Sequence, residues 1–150
     1  MTITSTDIQM LNIALEQVAY CPKVKFFSVG CLILCSNSQS FISGYTEEVQ
    51  HMHAEEVAIH KAKLAQLNLQ NATLYSTLEP CSVRLSAKTS CTDRIIESGI
   101  SRVVYGCREP SEFVDCVGHE RLLEHGIVVQ QAFELEKRCL ISIHSKRDSN

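Results

Sequence analysis

Three short pieces of this chain carry side chains that could hold a metal and move a proton: His53-Ala54-Glu55, Pro80-Cys81 and Cys91. One imidazole and two thiolates make a soft, charge-matched donor set for Zn²⁺. Three protein ligands leave the fourth tetrahedral position to water. Structural zinc sites close that position, so the ligand count points to catalysis. His53 and Cys91 both stand where a helix is expected to begin, and the positive end of a helix favours the thiolate that binds metal. Glu55, two residues after His53, falls on the same first turn, where it could take a proton from water without ligating the metal. Its neighbour Glu56 reads as a solvated helix-start carboxylate. A metal that activates water beside a carboxylate that shuttles protons suits hydrolytic removal of an amine from a heterocycle. Nine residues, Ser82 to Ser90, separate the two cysteines. For both sulfurs to reach one ion, that insert loops out and borders the substrate pocket.

The elements that must position these groups follow from the patterning. Ile8, Leu11, Leu15 and Val18 recur at helical spacing after the start signal Ser5-Thr6-Asp7, with Pro22 closing the helix. Val29 to Cys35 reads as a buried strand, and Ser36-Asn37-Ser38 turns it into a second strand over 40–45. Ala54, Val57, Ala58, Ala62 and Ala65 mark a helix over 53–67. Thr73 to Thr77 is strand-like and stops at Leu78-Glu79-Pro80. A helix with Ile95 and Ile96 begins at Cys91, and Ile100 to Tyr105 is a further strand. Gly118 to His125 is helical with Gly126 as its stop; Ile127 to Val129 forms a last strand, and Leu135 and Leu140 belong to a final helix. The order α-β-β-α-β-α-β-α-β-α predicts an α/β fold, a three-layer α-β-α sandwich. No repeat or linker interrupts it, so residues 1–150 are expected to form a single domain.

Composition narrows the setting. With 45% hydrophobic and 21% charged residues in 150, the chain can build a core. A net charge of −3 argues against binding nucleic acid by bulk charge. No membrane span or basic-then-apolar leader is evident, so a soluble, cytoplasmic protein is expected. The eight cysteines could be read as a disulfide framework, but without a secretion signal they fit a reducing compartment, with the special ones acting as metal ligands. Cys31 and Cys35 sit in an apolar run and read as small buried hydrophobes; Cys107, Cys116 and Cys139 have no role beyond packing.

The order H-x-E…P-C…C resembles that of zinc deaminases, although the usual P-C-x-x-C spacing is widened here. His53-Ala54-Glu55 followed by the stretch from Leu74 to Cys91 is similar to the cytidine deaminase-like superfamily. Within it, the stretch most resembles the pyrimidine deaminases of riboflavin biosynthesis, and particularly the fungal-type domain with its P-C-S-x-R-L-S-G-x-x-x-C loop. Gly44-Tyr45-Thr46, Arg108-Glu109-Pro110 with Phe113-Val114, and Leu123 to Val128 fit in the same order, so the resemblance spans about residues 8 to 130. It implies a mixed five-stranded sheet, Zn²⁺ as cofactor, a homodimer, and a 2,5-diamino-6-(ribosyl or ribityl)amino-pyrimidinone 5′-phosphate as the small-molecule substrate. It also implies a separate reductase for the companion step.

A phosphorylated substrate needs positive charge and hydroxyls near the metal. Arg84, Ser86, Lys88 and Thr89 in the inter-cysteine loop supply both, with Thr46 as a further contact; the bland alternative is a polar surface loop. Glu79 is expected to support its turn, Phe26, Phe27 and Tyr45 to pack, with room for one of the three to line the pocket, and His51, His60, His119 and His125 to be surface or structural. Phe26-Phe27-Ser28 replaces the Asn-Pro of bacterial members, and Ala87 stands where the loop usually has Gly. Those differences keep a second reading open: deamination of another amino-heterocycle, such as a cytosine or guanine derivative or an antibiotic precursor. A nucleic-acid-editing deaminase and an inactive accessory protein are weaker alternatives, given the acidic charge and the retained Glu55.

Overall fold

In the computed structural model, which describes residues 2–84, 89–110 and 116–147, five strands form one sheet in the order β2-β1-β3-β4-β5. The elements run α1 (Ser5–Gln17), β1 (Gly30–Leu34), β2 (Phe41–Tyr45), α2 (Ala54–Leu64), β3 (Thr73–Leu78), α3 (Cys91–Ser98), β4 (Arg102–Cys107), α4 (Gly118–Glu124), β5 (Val128–Gln131) and α5 (Glu136–Ser142). β1 is antiparallel to β2 and to β3, whereas β3, β4 and β5 are parallel, so the sheet is mixed. The element order is the one the patterning predicts. The differences lie at element ends: β4 runs over Arg102–Cys107 rather than Ile100–Tyr105, and β5 over Val128–Gln131 rather than Ile127–Val129. α1 stops at Gln17 and tightens into a 3₁₀ turn over Val18–Tyr20 instead of running to Pro22. α2 stops at Leu64, with Gln66 left-handed at φ 57°.

Alternation along the strands sorts the helices into layers, because successive side chains leave a sheet on opposite faces. Cys31 pairs with Gly44 and with Ser76, which pairs with Tyr105, so these four residues share a face. That face carries α2: a Cβ on Gly44 would stand 2.6 Å from the Ala54 carbonyl oxygen, so only glycine lets the helix start come this close. Tyr105 reaches His119 of α4 on the same face. Tyr75 points the other way to Asp7 of α1, and a Cβ on Gly106 would meet Cys139 of α5. The result is the expected α-β-α sandwich. Its centre is Leu32, Ile33, Leu74, Val103 and Val104 from the sheet, sealed by Leu11, Ala58, Ile95, Leu122 and Ile143 from the helices. Cys31, Cys35, Cys107 and Cys139 are buried in this core, and all eight cysteines are free thiols. No helix among the described residues is long and apolar enough to cross a membrane.

Candidate metal centre and active site

The carboxyl end of β3 is where the parallel half of the sheet meets the antiparallel half, the kind of position at which open α/β sheets place ligands. Past it the chain runs Glu79-Pro80-Cys81, facing the starts of two helices. His53 is the N-cap of α2, extended at φ −74° and ψ 161°. Cys91 is the first residue of α3, whose N-cap Ser90 accepts a 3.1 Å hydrogen bond from the Asp93 N–H. The two helix starts and the strand exit therefore bring His53, Cys81 and Cys91 together, with one donor atom from each within 4.8 Å of the others. His53 Nδ1 lies 3.4 Å from Cys91 Sγ and 3.7 Å from Cys81 Sγ. A tetrahedral zinc, at about 2.0 Å from nitrogen and 2.3 Å from sulfur, spaces such donors by about 3.5 Å, so the cluster fits Zn²⁺ in size as well as in softness.

The electrostatics favour the metal-binding forms. The Cys91 thiol and its N–H at the α3 start both address the Cys81 sulfur, the N–H at 3.3 Å, and with His53 they hold Cys81 well below the usual thiol range despite burial. The neighbouring Cys81 thiolate, reinforced by burial, pushes Cys91 the other way, as expected when two thiols share one site. Burial works against a charged His53, but contact with Cys81 and the charge of Glu55 outweigh it and raise its pKa. Glu55 is buried on the first turn of α2, pointing at the sheet, where the Ser76 hydroxyl donates to its Oε1 at 2.7 Å. Burial raises the Glu55 pKa, with His53 and Ser76 pulling back.

These groups open onto a cavity of about 750 Å³. His53, Glu55 and Cys81 form its floor; Phe26, Phe27 and Val83 contribute apolar wall. Of the expected substrate contacts, Thr46 lines the cavity, though its hydroxyl is engaged with Val29, accepting from the N–H at 2.8 Å. Arg84 also lines it. Thr89 is exposed and is not part of the lining. Ser86 and Lys88, with Ala87, Phe113 and Val114, lie outside the described residues.

One expectation needs correction. Glu56 is not solvated: it is buried, with Arg84 at 2.8 Å and Arg94 at 3.0 Å. Arg84 in turn donates from Nη1 to Glu56 and from Nη2 to the His51 carbonyl. The two residues are 28 apart in the chain, so neither local pattern announced the pair. His51, expected at the surface or in a structural role, is exposed and lines the cavity; of the aromatic residues, of which one at most was expected to reach the pocket, both Phe26 and Phe27 line it. Glu79 supports its turn as expected, and does more. Fully buried, it accepts from the Glu109 N–H and the His119 N–H, each at 3.1 Å, and pairs with Arg108. It thereby ties the β3 exit to the segment after β4 and to the start of α4. Gly118 permits that approach, since a Cβ there would stand 2.1 Å from the Pro80 carbonyl oxygen. Ser76, and Lys23 and Lys25 in the cavity lining, were missed. A serine among the β-formers of the buried strand Thr73–Leu78 was the available signal for Ser76.

An α/β sandwich that gathers one histidine and two cysteines from two helix starts and a strand exit, with a buried carboxylate beside them, is the architecture of the zinc deaminase class. The chain belongs to the family described as the cytidine and deoxycytidylate deaminase zinc-binding region, whose model matches residues 4–107. Family and donor set agree on Zn²⁺ as the cofactor. Among curated proteins, diaminohydroxyphosphoribosylamino-pyrimidine deaminase of Schizosaccharomyces pombe is 42% identical over 85% of this chain and 32% of its own length. Cytosine deaminase of Candida albicans is 31% identical over 85% of this chain and 81% of its own. The solved structure of a diaminohydroxyphosphoribosylaminopyrimidine deaminase/5-amino-6-(5-phosphoribosylamino)uracil reductase from Thermotoga maritima superposes with a TM-score of 0.82 at 31% identity, over 93% of this chain and 40% of that one. The chain thus spans about a third of the length of the first curated relatives it matches.

Proposed function

We propose that this chain hydrolytically deaminates a 2,5-diamino-6-(ribosyl or ribityl)amino-pyrimidinone 5′-phosphate, as in riboflavin biosynthesis, releasing ammonia. The observation that carries the chemistry is the meeting of His53, Cys81 and Cys91, with His53, Cys81 and Glu55 lining one cavity. The 42% identity to the fission-yeast deaminase supports the substrate class. His53, Cys81 and Cys91 hold the zinc, which when bound supplies Lewis-acid activation of water at neutral pH. Glu55 is the proton carrier. Its buried carboxylate is a stronger base than a solvated one, so it takes one proton from the attacking water and passes it to the ring nitrogen, and then carries the second, released as the carbonyl forms, to the departing amine. Ser76 fixes the orientation of that carboxylate. Ring carbon exchanges its C–N bond for a C–O bond, and water and substrate are converted to carbonyl product and ammonia.

Arg84 shapes the wall through Glu56. Lys23 and Lys25, which line the same cavity and form no ion pair among the described residues, supply the positive charge for the phosphate. A cytoplasmic homodimer acting alongside a separate reductase completes the proposal; its support is the resemblance to the riboflavin-pathway deaminases.

The test is ammonia release from zinc-loaded protein given the phosphorylated diaminopyrimidines, with Glu55→Ala as control. Turnover that disappears in the variant upholds the reading. A second reading, deamination of cytosine, is favoured by the Candida albicans relative of nearly matching length. Cytosine in the same assay separates the two: ammonia from cytosine alone would sink the flavin-precursor reading.

A further inference from the structure

Glu55 is not the only carboxylate in the cavity. Glu109, two residues beyond the end of β4, also lines it. Its backbone N–H is fastened to Glu79, which fixes where the side chain starts. Yet Glu109 Oε2 is buried with no hydrogen-bond partner among the described residues. Burial, reinforced by the negative charges of Cys81, Glu79 and Glu55 and offset by the Cys116 thiol, pushes its pKa up to about 7. A buried acceptor without a donor is costly and uncommon, and in a cavity wall it marks a place where a ligand supplies the missing donor.

The ligand classes of the two readings differ in what they can donate. Cytosine carries one exocyclic amine, which is the group that leaves. The diaminopyrimidine keeps two further exocyclic N–H groups, on the 5-amino and 6-amino substituents, after its reacting amine is accounted for. We infer that Glu109 is the specificity-determining residue of this pocket, accepting a hydrogen bond from one of those retained N–H groups. This rests on the deaminase reading above and deepens it: Glu55 handles the proton, and Glu109 selects the ring. The selection is strong for a physical reason. A ring without such a donor leaves the buried carboxylate unsatisfied, and sites built to hydrogen-bond a substrate reject analogues that lack the group.

The experiment measures binding of the deaminated product, 5-amino-6-ribosylaminouracil 5′-phosphate, to zinc-loaded wild type, Glu109→Gln and Glu109→Ala. The product retains both N–H groups, and uridine 5′-monophosphate, which lacks them, serves as comparison. Zinc stoichiometry and melting temperature confirm that the variants are folded. The expected result is a loss of product affinity of about 10–100-fold in Glu109→Ala, a smaller loss in Glu109→Gln, which keeps an acceptor oxygen, and no loss for uridine 5′-monophosphate. In turnover the defect is in KM. Unchanged product affinity, an equal loss for both ligands, or a defect confined to kcat would overturn the inference. Failure of wild type to release ammonia would instead remove the proposed activity, and product binding would still decide the role of Glu109.

Discussion

Two buried polar clusters sit on opposite faces of β3, and they are built on opposite principles. On the α1 face, Asp7 is 2% exposed and its oxygens are fully used: Arg102 donates to both at 2.8 Å, the Tyr75 hydroxyl to Oδ1 at 2.8 Å, and the Thr4 N–H to Oδ2 at 2.8 Å. Gln130 takes the remaining reach of Arg102. On the α2 face, two sulfurs and an imidazole crowd together beside Glu55, with Glu109 Oε2 unsatisfied across the cavity. A cluster whose lone pairs are all matched specifies a fold, whereas one with unspent donors and acceptors is waiting for a metal and a ligand.

The largest expected effect is on the open cluster. Stripping zinc with a chelator is expected to abolish ammonia release, and adding zinc back to restore it. Glu55→Gln keeps the shape of the side chain but cannot shuttle a proton, and its kcat is expected to fall about 10²–10⁴-fold with zinc content unchanged. Full activity in that variant would remove Glu55 from the chemistry.

The closed cluster responds in the other currency. Asp7→Asn leaves Arg102 buried without its counter-charge, so denaturant unfolding is expected to show a loss of about 3–5 kcal/mol, while zinc stoichiometry and kcat stay put. The sign of the pH effect follows from the depressed folded-state pKa of Asp7. Burial opposes the charge, but Arg102, Thr4 and Tyr75 more than reverse it. A carboxylate lowered on folding adds stability above its unfolded pKa of about 3.9, and that stability is lost as pH falls from there toward the folded value. Wild type is therefore expected to lose stability below about pH 4 by a component that Asp7→Asn lacks. Parallel acid-unfolding curves for the two proteins would show that Asp7 carries no such linkage.

The same contrast decides what could be read from the chain. His53, Cys81 and Cys91 were legible because ligand type, order and the punctuation around them are local: a helix start, a strand exit ending in Pro80, a second helix start. The alternation of elements was legible for the same reason. Partners chosen across the sequence were not. Asp7 carries the local signature of a helix cap, and it is one, reciprocating with Thr4; that it also holds Arg102, 95 residues away, appears only when β4 is laid beside β3. Glu56 and Arg84 each look solvent-bound in isolation and neutralise one another once folded. Charged side chains advertise that they need a partner without naming it.

The finest test uses neighbours. Tyr75 and Ser76 are consecutive residues of β3, so their hydroxyls leave the sheet on opposite faces, one to Asp7 at 2.8 Å and the other to Glu55 at 2.7 Å. Each hydroxyl donates to a buried carboxylate, and each can be deleted with little else changed. Tyr75→Phe removes one of several donors to Asp7, and a stability loss of about 1–2 kcal/mol with unaltered kcat is expected. Ser76→Ala removes the hydroxyl that donates to Glu55, the proposed proton carrier, so kcat is expected to fall about 10-fold, with zinc content and KM unchanged. If Ser76→Ala lowered the unfolding free energy and spared kcat, Ser76 would belong with Tyr75 as a structural donor, and the division between a closed face and an open one would not extend to the strand they share.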